Sequence, residues 1–343
     1  MDSNFYKFTE PNPKIAAFDL DGTLITTKSK KRFPIDKNDY EYAFDNVDSK
    51  INELLVEGYK IVIFTNQGGI RLKKIDKKDI IHKINRLFPS ADYFISHEND
   101  LYRKPMPGMY EQFIKLNGKP KEIFYVGDAA GRKKDHSADD INFAYNSKIK
   151  FYTQTEFFTG VKEKVKAICP EMPSKTNKIT DVNKYTKATL IFMQGFPACG
   201  KTTFIKDYVK HYKIKDYLHL SNDEYTKAKL MKAFKEGVKK NKLIFIDNLN
   251  ATKKNRKEYI DLVTEDYKII GIRILTDINL AKALNKQRYY VSNMDPKYKG
   301  KQYNKIPNVA YNVFKKNLTE MNKDEKFDEI YKYMPDIKLK YCF

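Results

Sequence analysis

The sequence predicts an α/β protein of two domains, each built on a mainly parallel sheet. The chain has 343 residues, which is enough for two domains of ordinary size. Short apolar segments rich in β-branched residues alternate with longer amphipathic segments, a pattern typical of strand–helix–strand units. Residues 169–185 contain Pro, Ser, Thr and Asn and show little apolar periodicity, so we expect a linker there, between domains at residues 1–168 and 186–343.

Six apolar segments predict strands, in chain order at residues 15–20, 60–65, 123–127, 189–194, 243–247 and 268–275. Helical periodicity in the sequence between them predicts helices, for example over residues 47–57, 202–211 and 253–264. In sheets of this kind, ligands bind beyond the carboxyl ends of the strands. The residues that follow each predicted strand are therefore the first candidates for functional groups.

Composition narrows the classes of function. The formal net charge is +21, of which residues 181–343 contribute +15. This charge favours polyanionic partners, although an AT-rich genome would also enrich lysine. The three cysteines, Cys169, Cys199 and Cys342, show neither metal nor disulfide spacing, which indicates a reducing, intracellular compartment, nucleus or cytoplasm. The N-terminal residues are polar and no apolar run approaches 18 residues, so we expect neither a signal peptide nor a membrane span.

Two aspartates follow the first predicted strand in the segment FDLDGT. Asp19 and Asp21 would repel each other unless a divalent cation such as Mg²⁺ lies between them. The pair also suits covalent phosphoryl transfer, in which one carboxylate attacks phosphorus and the other protonates the leaving oxygen. An Asp-Gly turn that only caps the strand is the alternative for this segment by itself.

Three further segments support the catalytic interpretation. IFTNQGG follows the second predicted strand and offers Thr65 and Asn66 near the oxygens of a phosphate. YRKP offers Lys104 to neutralise a transferring phosphoryl group. FYVGD offers Asp128 as another Mg²⁺ ligand, while Asp140 either adds to the metal site or caps a helix.

Together these segments resemble the motifs of the haloacid dehalogenase superfamily of phosphohydrolases. The resemblance implies a Rossmannoid phosphatase domain in which Asp19 is the nucleophile and Asp21 the general acid and base. It also implies that Thr65 and Lys104 hold the phosphate and that Asp128 binds the metal ion with the first two aspartates.

The segment GFPACGKT, residues 195–202, matches the phosphate-binding loop pattern G-x-x-x-x-G-K-[ST] between a predicted strand and a predicted helix. Lys201 would reach the β and γ oxygens of ATP, and the Thr202 hydroxyl would bind Mg²⁺. The expected nucleotide-binding residues are Gly195, Phe196, Pro197, Ala198, Cys199, Gly200, Lys201, Thr202 and Thr203. Within this loop we interpret Cys199 as a small space-filling residue.

Four charged residues are further candidates in the second domain. Asp223, in LHLSNDEYT, would accept the proton of an acceptor hydroxyl or cap a helix. Asp247 ends the strand LIFID in the position of a Walker B carboxylate. Arg256 and Arg288 are candidates for covering the transferring phosphate, and a solvated helix charge is the alternative for each.

In this order, the segments FDLDGTLITT, VIFTNQ, YRKP, GDAAGR, GFPACGKT and LIFIDN resemble the polynucleotide kinase 3′-phosphatase family over nearly the whole chain. The resemblance implies an enzyme that removes a 3′-phosphate and phosphorylates a 5′-hydroxyl, leaving ends for a ligase. It also implies that Asp223 activates the 5′-hydroxyl and that Arg288 contacts nucleotide phosphates. Animal members carry an N-terminal forkhead-associated domain, which we do not expect here because the phosphatase begins by residue 14.

Basic clusters at residues 28–32, 71–78, 132–134 and 297–305 are candidates for contact with a nucleic acid strand. Solvated faces, or a nuclear import signal for the first cluster, are the alternatives. We expect DNA ends in strand-break repair as the substrate. RNA end healing, a small-molecule phosphatase fused to a kinase, and a nucleic-acid-binding scaffold with reduced catalysis are the competing functions. We find no sustained heptad and therefore expect a monomer.

Overall fold

The computed structural model describes residues 4–31, 34–294 and 298–343. These residues form two compact units. The first unit takes the described residues of Met1–Cys169, Tyr290–Gly300 and Lys340–Phe343, and the second takes those of Pro170–Tyr289 and Lys301–Leu339. None of the helices in the described part of the chain combines the length and the apolar character that a membrane span requires.

The first unit is a three-layer α/β arrangement around one large sheet. Its elements follow in chain order: β1 (Asn4–Lys7), β2 (Lys14–Phe18), β3 (Ile25–Thr26), β4 (Glu41–Tyr42), α1 (Val47–Val56), β5 (Lys60–Asn66), α2 (Gly68–Arg71), α3 (Lys77–Leu87), β6 (Asp92–Ser96), α4 (Gly108–Asn117), β7 (Glu122–Gly127), α5 (Asp139–Ser147), β8 (Lys150–Thr153) and α6 (Gln154–Thr159). The sheet has the order β1-β6-β5-β2-β7-β8, and every pair except β1 with β6 is parallel. A separate antiparallel pair joins β3 and β4.

Strand β2 lies in the middle of this sheet because both of its faces are apolar. Ile15, Ala16, Ala17 and Phe18 are all fully buried, as expected of a parallel strand covered by helices on both sides. The neighbouring strands β5 and β7 end at the same edge of the sheet as β2. This edge therefore collects the residues that follow all three strands.

The second unit is built on a wholly parallel sheet. Its elements are β9 (Thr189–Gln194), α7 (Lys201–His211), β10 (Tyr217–Leu220), α8 (Lys227–Lys239), β11 (Leu243–Ile246), α9 (Lys253–Ile260), β12 (Lys268–Ile274), α10 (Ile278–Met294), α11 (Asn308–Asn317) and β13 (Glu329–Tyr333), with short 3₁₀ turns at Ile179–Asp181 and Lys323–Glu325. The residues of α10 from Tyr290 onward group with the first unit. The strand order is β10-β11-β9-β12-β13. The central strand β9 is buried along its whole length and leads directly into the loop at residues 195–200.

These sheets confirm the predicted α/β class and the six predicted strands, with boundaries within one or two residues. The predicted extent of the linker is wrong at its C-terminal end. Val182 and Tyr185 are buried in the core of the second unit, and the Tyr185 backbone N–H donates to the Tyr208 hydroxyl. Val182 and Tyr185 are isolated apolar residues in a polar segment, so they give no periodic signal in the sequence. Their burial depends on packing against residues that are distant in the chain.

The C-terminal residues also differ from the expectation. Lys340–Phe343 group with the first unit, not the second. Cys342 forms a disulfide with Cys169, with Cα atoms 4.9 Å apart, and exchanges two hydrogen bonds with the Asn146 side chain. The spacing of the cysteines along the sequence did not predict this disulfide. The two are 173 residues apart, so no local spacing reveals the pair, and the cysteine content no longer indicates a reducing compartment.

Candidate active sites

The first candidate site lies at the carboxyl edge of the first sheet. Asp19 directly follows β2, Thr65 is near the end of β5, and Asp128 directly follows β7. Gly22 makes this assembly compact. Its φ is +83°, and a Cβ at this position would lie only 2.5 Å from Asp128 Oδ2. Glycine is therefore required for the turn after Asp19 to approach Asp128.

The Lys104 ammonium occupies the centre of the site. Nζ donates to Asp19 Oδ1 over 2.5 Å, to Asp140 Oδ1 over 2.7 Å and to the Tyr125 hydroxyl over 2.8 Å. Burial lowers the pKa of Lys104, but the charges of Asp140 and Asp19 outweigh it and raise the pKa above its ordinary value. The ammonium therefore stays charged and is held against the carboxylate of the expected nucleophile.

Three carboxylates form a cluster beside this ammonium. Oxygen atoms of Asp19, Asp128 and Asp140 all lie within 4.8 Å of one another. Burial, together with the Asp140 charge, raises the pKa of Asp128 to about 7. Burial also raises the pKa of Asp19, although the Lys104 charge opposes that effect. Hard oxygen donors that raise one another's pKa values fit a divalent cation such as Mg²⁺.

Asp140 joins this cluster and does not cap a helix through its side chain. It lies in the first turn of α5, and its Oδ2 accepts a hydrogen bond from the Ala129 backbone N–H, outside that helix.

The Asp21 carboxylate, in contrast, is exposed and lies outside the described acidic cluster. Its Oδ2 accepts a hydrogen bond from Gln67 Nε2, so the prediction that this side chain belongs to the metal-binding group is not supported.

Thr65 and Asn66 have different surroundings. Thr65 is buried, and its hydroxyl accepts a hydrogen bond from Gln67 Nε2 over 2.9 Å. The Asn66 side chain exchanges two hydrogen bonds with the Lys104 backbone, 3.1 Å from Nδ2 to the carbonyl and 2.9 Å from the N–H to Oδ1. Asn66 therefore positions the loop that carries Lys104.

Sequence reasoning missed Gln67 and Tyr125 as site residues. Gln67 directly follows TN in the motif, so a polar residue just beyond a strand end was an available signal. Tyr125 gave no such signal, because it lies inside the apolar strand β7. Its buried hydroxyl donates to Asp140 Oδ1 over 2.7 Å, and this contact depends on the position of α5.

The second candidate site is the phosphate-binding loop between β9 and α7. Gly200 has a φ of +104° and precedes the first residue of the helix, Lys201. Lys201 Nζ donates to the carbonyl oxygens of Gly195 and Phe196 over 3.0 and 2.8 Å. The loop thus curls around the ammonium, and Cys199 is fully buried within it. Backbone N–H groups in such a loop form an anion-binding concavity at a helix N-terminus.

Asp247 meets the loop directly after β11. Its Oδ2 accepts a hydrogen bond from the Thr202 hydroxyl over 2.5 Å and lies 3.0 Å from His219 Nε2. Burial raises the pKa of Asp247, but the hydrogen bonds with His219 and Thr202, together with the Lys201 charge, outweigh it and hold the pKa below its ordinary value. A hydroxyl and an ionised carboxylate in contact fit a Mg²⁺ ion bound beside nucleotide phosphates. Sequence analysis did not identify His219.

Asp223 is exposed in the turn after β10. Helix α8 begins at Lys227, with Thr226 as its N-cap, so the helix-capping alternative for Asp223 is wrong. Arg288, on α10, lies with its Cζ 4.9 Å from the ring centroid of Tyr303, and its buried Nε lacks a hydrogen-bond partner among the described residues.

Arg256 is placed differently from the sequence expectation. It is fully buried, and Nε and Nη2 donate to the two carboxylate oxygens of Glu325 over 2.8 and 2.7 Å. Its Nη1 donates to the carbonyl oxygens of Asn250 and Thr319. The prediction that Arg256 covers a transferring phosphate is therefore not supported, because its guanidinium is enclosed and bonded within the fold.

The basic clusters contain both exposed side chains and a side chain that is bonded within the fold. Residues 71–74 are exposed, as are Lys133 and Lys134. Arg132, however, donates to Asp135 and Glu163 and thus holds the loop after β7 together. Arg32 of the first cluster and Lys297 of the fourth lie outside the described residues.

The chain is similar in sequence to known polynucleotide phosphatases and kinases. Residues 14–158 match the family model described as polynucleotide kinase 3 phosphatase. The chain is 33% identical to the bifunctional polynucleotide phosphatase/kinase of Schizosaccharomyces pombe, over 92% of this chain and 78% of that protein. It is 32% identical to a putative bifunctional polynucleotide phosphatase/kinase of Acanthamoeba polyphaga mimivirus, over 92% and 83%. A polynucleotide 3′-phosphatase of Saccharomyces cerevisiae is 30% identical over 43% of this chain and 87% of its own length.

Proposed function

Because this chain belongs to the bifunctional polynucleotide phosphatase/kinase family, we propose that it heals nucleic-acid ends with two separate active sites. The first site removes a 3′-phosphate, and the second transfers the γ-phosphate of ATP to a 5′-hydroxyl. One observation carries the proposal. Two relatives that bear both activities in their names each match 92% of the chain.

In the phosphatase reaction, an Asp19 carboxylate oxygen attacks phosphorus as the bond to the 3′-oxygen breaks, and Asp21 protonates that leaving oxygen. Asp21 then takes a proton from the water that hydrolyses the aspartyl phosphate. Lys104 and Thr65 hold the phosphate oxygens. Asp19, Asp128 and Asp140 would hold Mg²⁺, which would neutralise charge on the phosphoryl group.

In the kinase reaction, the loop at residues 195–203 binds the phosphates of ATP. Lys201 exchanges its bonds with the loop carbonyls for bonds with phosphate oxygens, while Arg288 contributes a second positive charge. Asp223 accepts the proton of the 5′-hydroxyl as that oxygen attacks the γ-phosphorus. Thr202 and Asp247 would hold Mg²⁺, and this ion would neutralise charge on the β and γ phosphates.

DNA with a 3′-phosphate and a 5′-hydroxyl is the proposed substrate, and a ligase would use the product. Support comes from the net charge of +21 and from the exposed lysines near residue 73, which follow Thr65. We propose a monomer that acts in the nucleus or the cytoplasm. Binding through backbone phosphates predicts an affinity that falls steeply with salt.

A nicked duplex with a 3′-phosphate and a 5′-hydroxyl at the nick tests both activities at once. Purified protein, Mg²⁺ and ATP are added, and both ends are resolved on a denaturing gel. Asp19→Asn should lose only the phosphatase, and Lys201→Ala only the kinase. Lys206→Ala, on the exposed face of the same helix, is the matched control and should keep both activities.

The same experiment with RNA separates the remaining alternatives. Healing of RNA but not DNA would move the function to RNA repair with the two sites unchanged. If neither end changes on either nucleic acid, the end-healing proposal is wrong, and small phosphate esters become the substrates to test.

A further inference from the structure

The Gln67 side chain links two parts of the phosphatase site that sequence analysis treated separately. Gln67 follows β5, and its side chain is buried, with 3% of the residue exposed. Its Nε2 donates to Asp21 Oδ2 over 2.5 Å and to the Thr65 hydroxyl over 2.9 Å. It precedes helix α2 but makes no side-chain bond that caps that helix. Both of its amide hydrogens are thus directed at groups of the active site.

The chemistry of the three groups defines what this link does. An amide nitrogen carries two N–H donors, which these two contacts use completely. The Thr65 hydroxyl accepts one of them, so its own hydrogen remains available to donate to a phosphate oxygen. The bond to Asp21 Oδ2 leaves Oδ1 available for the proton that passes to or from the substrate. Asp21 is exposed, so without this bond its carboxyl would be free to rotate into water.

We propose that Gln67 is a positioning residue that orients the Asp21 carboxyl for protonation of the leaving oxygen. The inference rests on the proposed 3′-phosphatase activity and assigns this glutamine a role within it. In the first step, a bond forms between Asp19 and phosphorus, the bond to the 3′-oxygen breaks, and the Asp21 proton passes to that oxygen. In the second step, water attacks phosphorus, Asp21 takes its proton, and inorganic phosphate leaves Asp19.

Comparing two leaving groups distinguishes the positioning role of Gln67 from a purely structural one. A sugar alkoxide leaves only when it is protonated, whereas the phenolate of p-nitrophenyl phosphate leaves without a general acid. We expect Gln67→Met to lower kcat for a 3′-phosphorylated oligonucleotide by about 10- to 100-fold, within the range of general-acid effects. We expect the loss on the aryl phosphate to be less than about threefold, with KM for the oligonucleotide nearly unchanged.

Two further variants make the test specific. Asp21→Asn should show the same dependence on leaving group with a larger loss, because it removes the acid itself. Gln67→Glu replaces the amide by a carboxyl of equal size that repels Asp21, and it should match or exceed the defect of Gln67→Met. Unchanged kinase activity and an unchanged melting temperature show that each variant is folded.

Equal losses on both substrates, or no loss on the oligonucleotide, would overturn the inference while the proposed function stands. A wild-type protein that hydrolyses the aryl phosphate but no 3′-phosphorylated end would refute the proposed function itself, and the inference with it. Wild-type activity on the oligonucleotide is therefore measured first.

Discussion

Lys104 Nζ lies 2.5 Å from Asp19 Oδ1, and the exposed fractions of the two side chains are 3% and 9%. Burial raises the pKa of Asp19 well above its ordinary value, and the charge of the ammonium opposes that shift. We expect Lys104→Met to lower phosphatase kcat by at least about 100-fold, because it removes both this charge and a phosphate-binding cation. Phosphate release from a 3′-phosphorylated oligonucleotide measures the effect.

Lys121→Met is the matched control for that prediction. Lys121 is exposed on the same unit, so the same change of side chain should leave phosphatase activity unaltered. Kinase activity should persist in both variants. A Lys104→Met protein with more than half of the wild-type phosphatase rate would show that the buried ion pair is not needed for catalysis.

Magnesium should raise the melting temperature more at about pH 8 than at about pH 6. Burial and the Asp140 charge raise the pKa of Asp128 from its ordinary 3.8 to about 7. Between these values the metal-free folded state binds more protons than the unfolded state, so its stability falls as the pH rises. Mg²⁺ bound at this cluster would need the carboxylates ionised and would compete with those protons. Thermal unfolding with Mg²⁺ or with a chelator, at both pH values, measures the difference.

Asp128→Asn provides the control, because it removes one charge from the cluster with little change in shape. In this variant the pH dependence of metal-free stability should flatten, and the stabilisation by Mg²⁺ should shrink. A Mg²⁺ effect that is larger at the lower pH would contradict the assignment of the acidic cluster as a metal site.

The sequence predicted those parts of the fold that have a local signal. Strands such as β2 and β9 are continuous apolar runs bounded by polar residues, and their periodicity is sufficient. Strand β1 was missed because it is short, and its place in the sheet depends on antiparallel pairing with β6, nearly 90 residues later. No local pattern specifies such a partner.

The same distinction between local sequence signals and long-range contacts applies to the two candidate active sites. Asp19, Thr65 and Lys104 come together because each belongs to a motif at a strand end or on a loop beside it. His219 contributes only through its 3.0 Å contact with Asp247 from the neighbouring strand, which spacing along the chain does not reveal. Contacts between side chains of different elements are thus what sequence reasoning could not predict.

Asp223→Asn should lower kinase kcat by about 100- to 10,000-fold, the usual range for loss of a general base. The side chain is exposed at the carboxyl end of β10, so its loss should not affect stability or the KM for ATP. Transfer of labelled phosphate to a 5′-hydroxyl oligonucleotide gives both constants. Glu224→Gln, which alters the adjacent exposed carboxylate, is the matched control and should behave as wild type. Comparable losses in the two variants would instead indicate a general electrostatic effect.

Arg256→Met should destabilise the second unit by about 3–5 kcal/mol, because it leaves the Glu325 carboxylate buried without its partner. Below the melting transition, its KM for ATP should remain close to the wild-type value, since the guanidinium faces Glu325 and not the phosphate-binding loop. Thermal unfolding and kinase assays on the same preparation measure both quantities. A many-fold rise in KM for ATP without loss of stability would restore the nucleotide-binding role.

A double variant distinguishes the ion pair from the packing of the arginine. In Arg256→Met with Glu325→Met, no unpaired charge remains, and we expect most of the lost stability to return. The carbonyl oxygens of Asn250 and Thr319 stay hydrogen-bonded, because Gln194 Nε2 also donates to both of them over 3.0 Å. Lys257→Met, at the next residue on α9, removes only an exposed pair with Asp261 and should cost less than about 1 kcal/mol. If the double variant were as unstable as the single one, the stabilising contribution of Arg256 would lie in its packing and its carbonyl contacts.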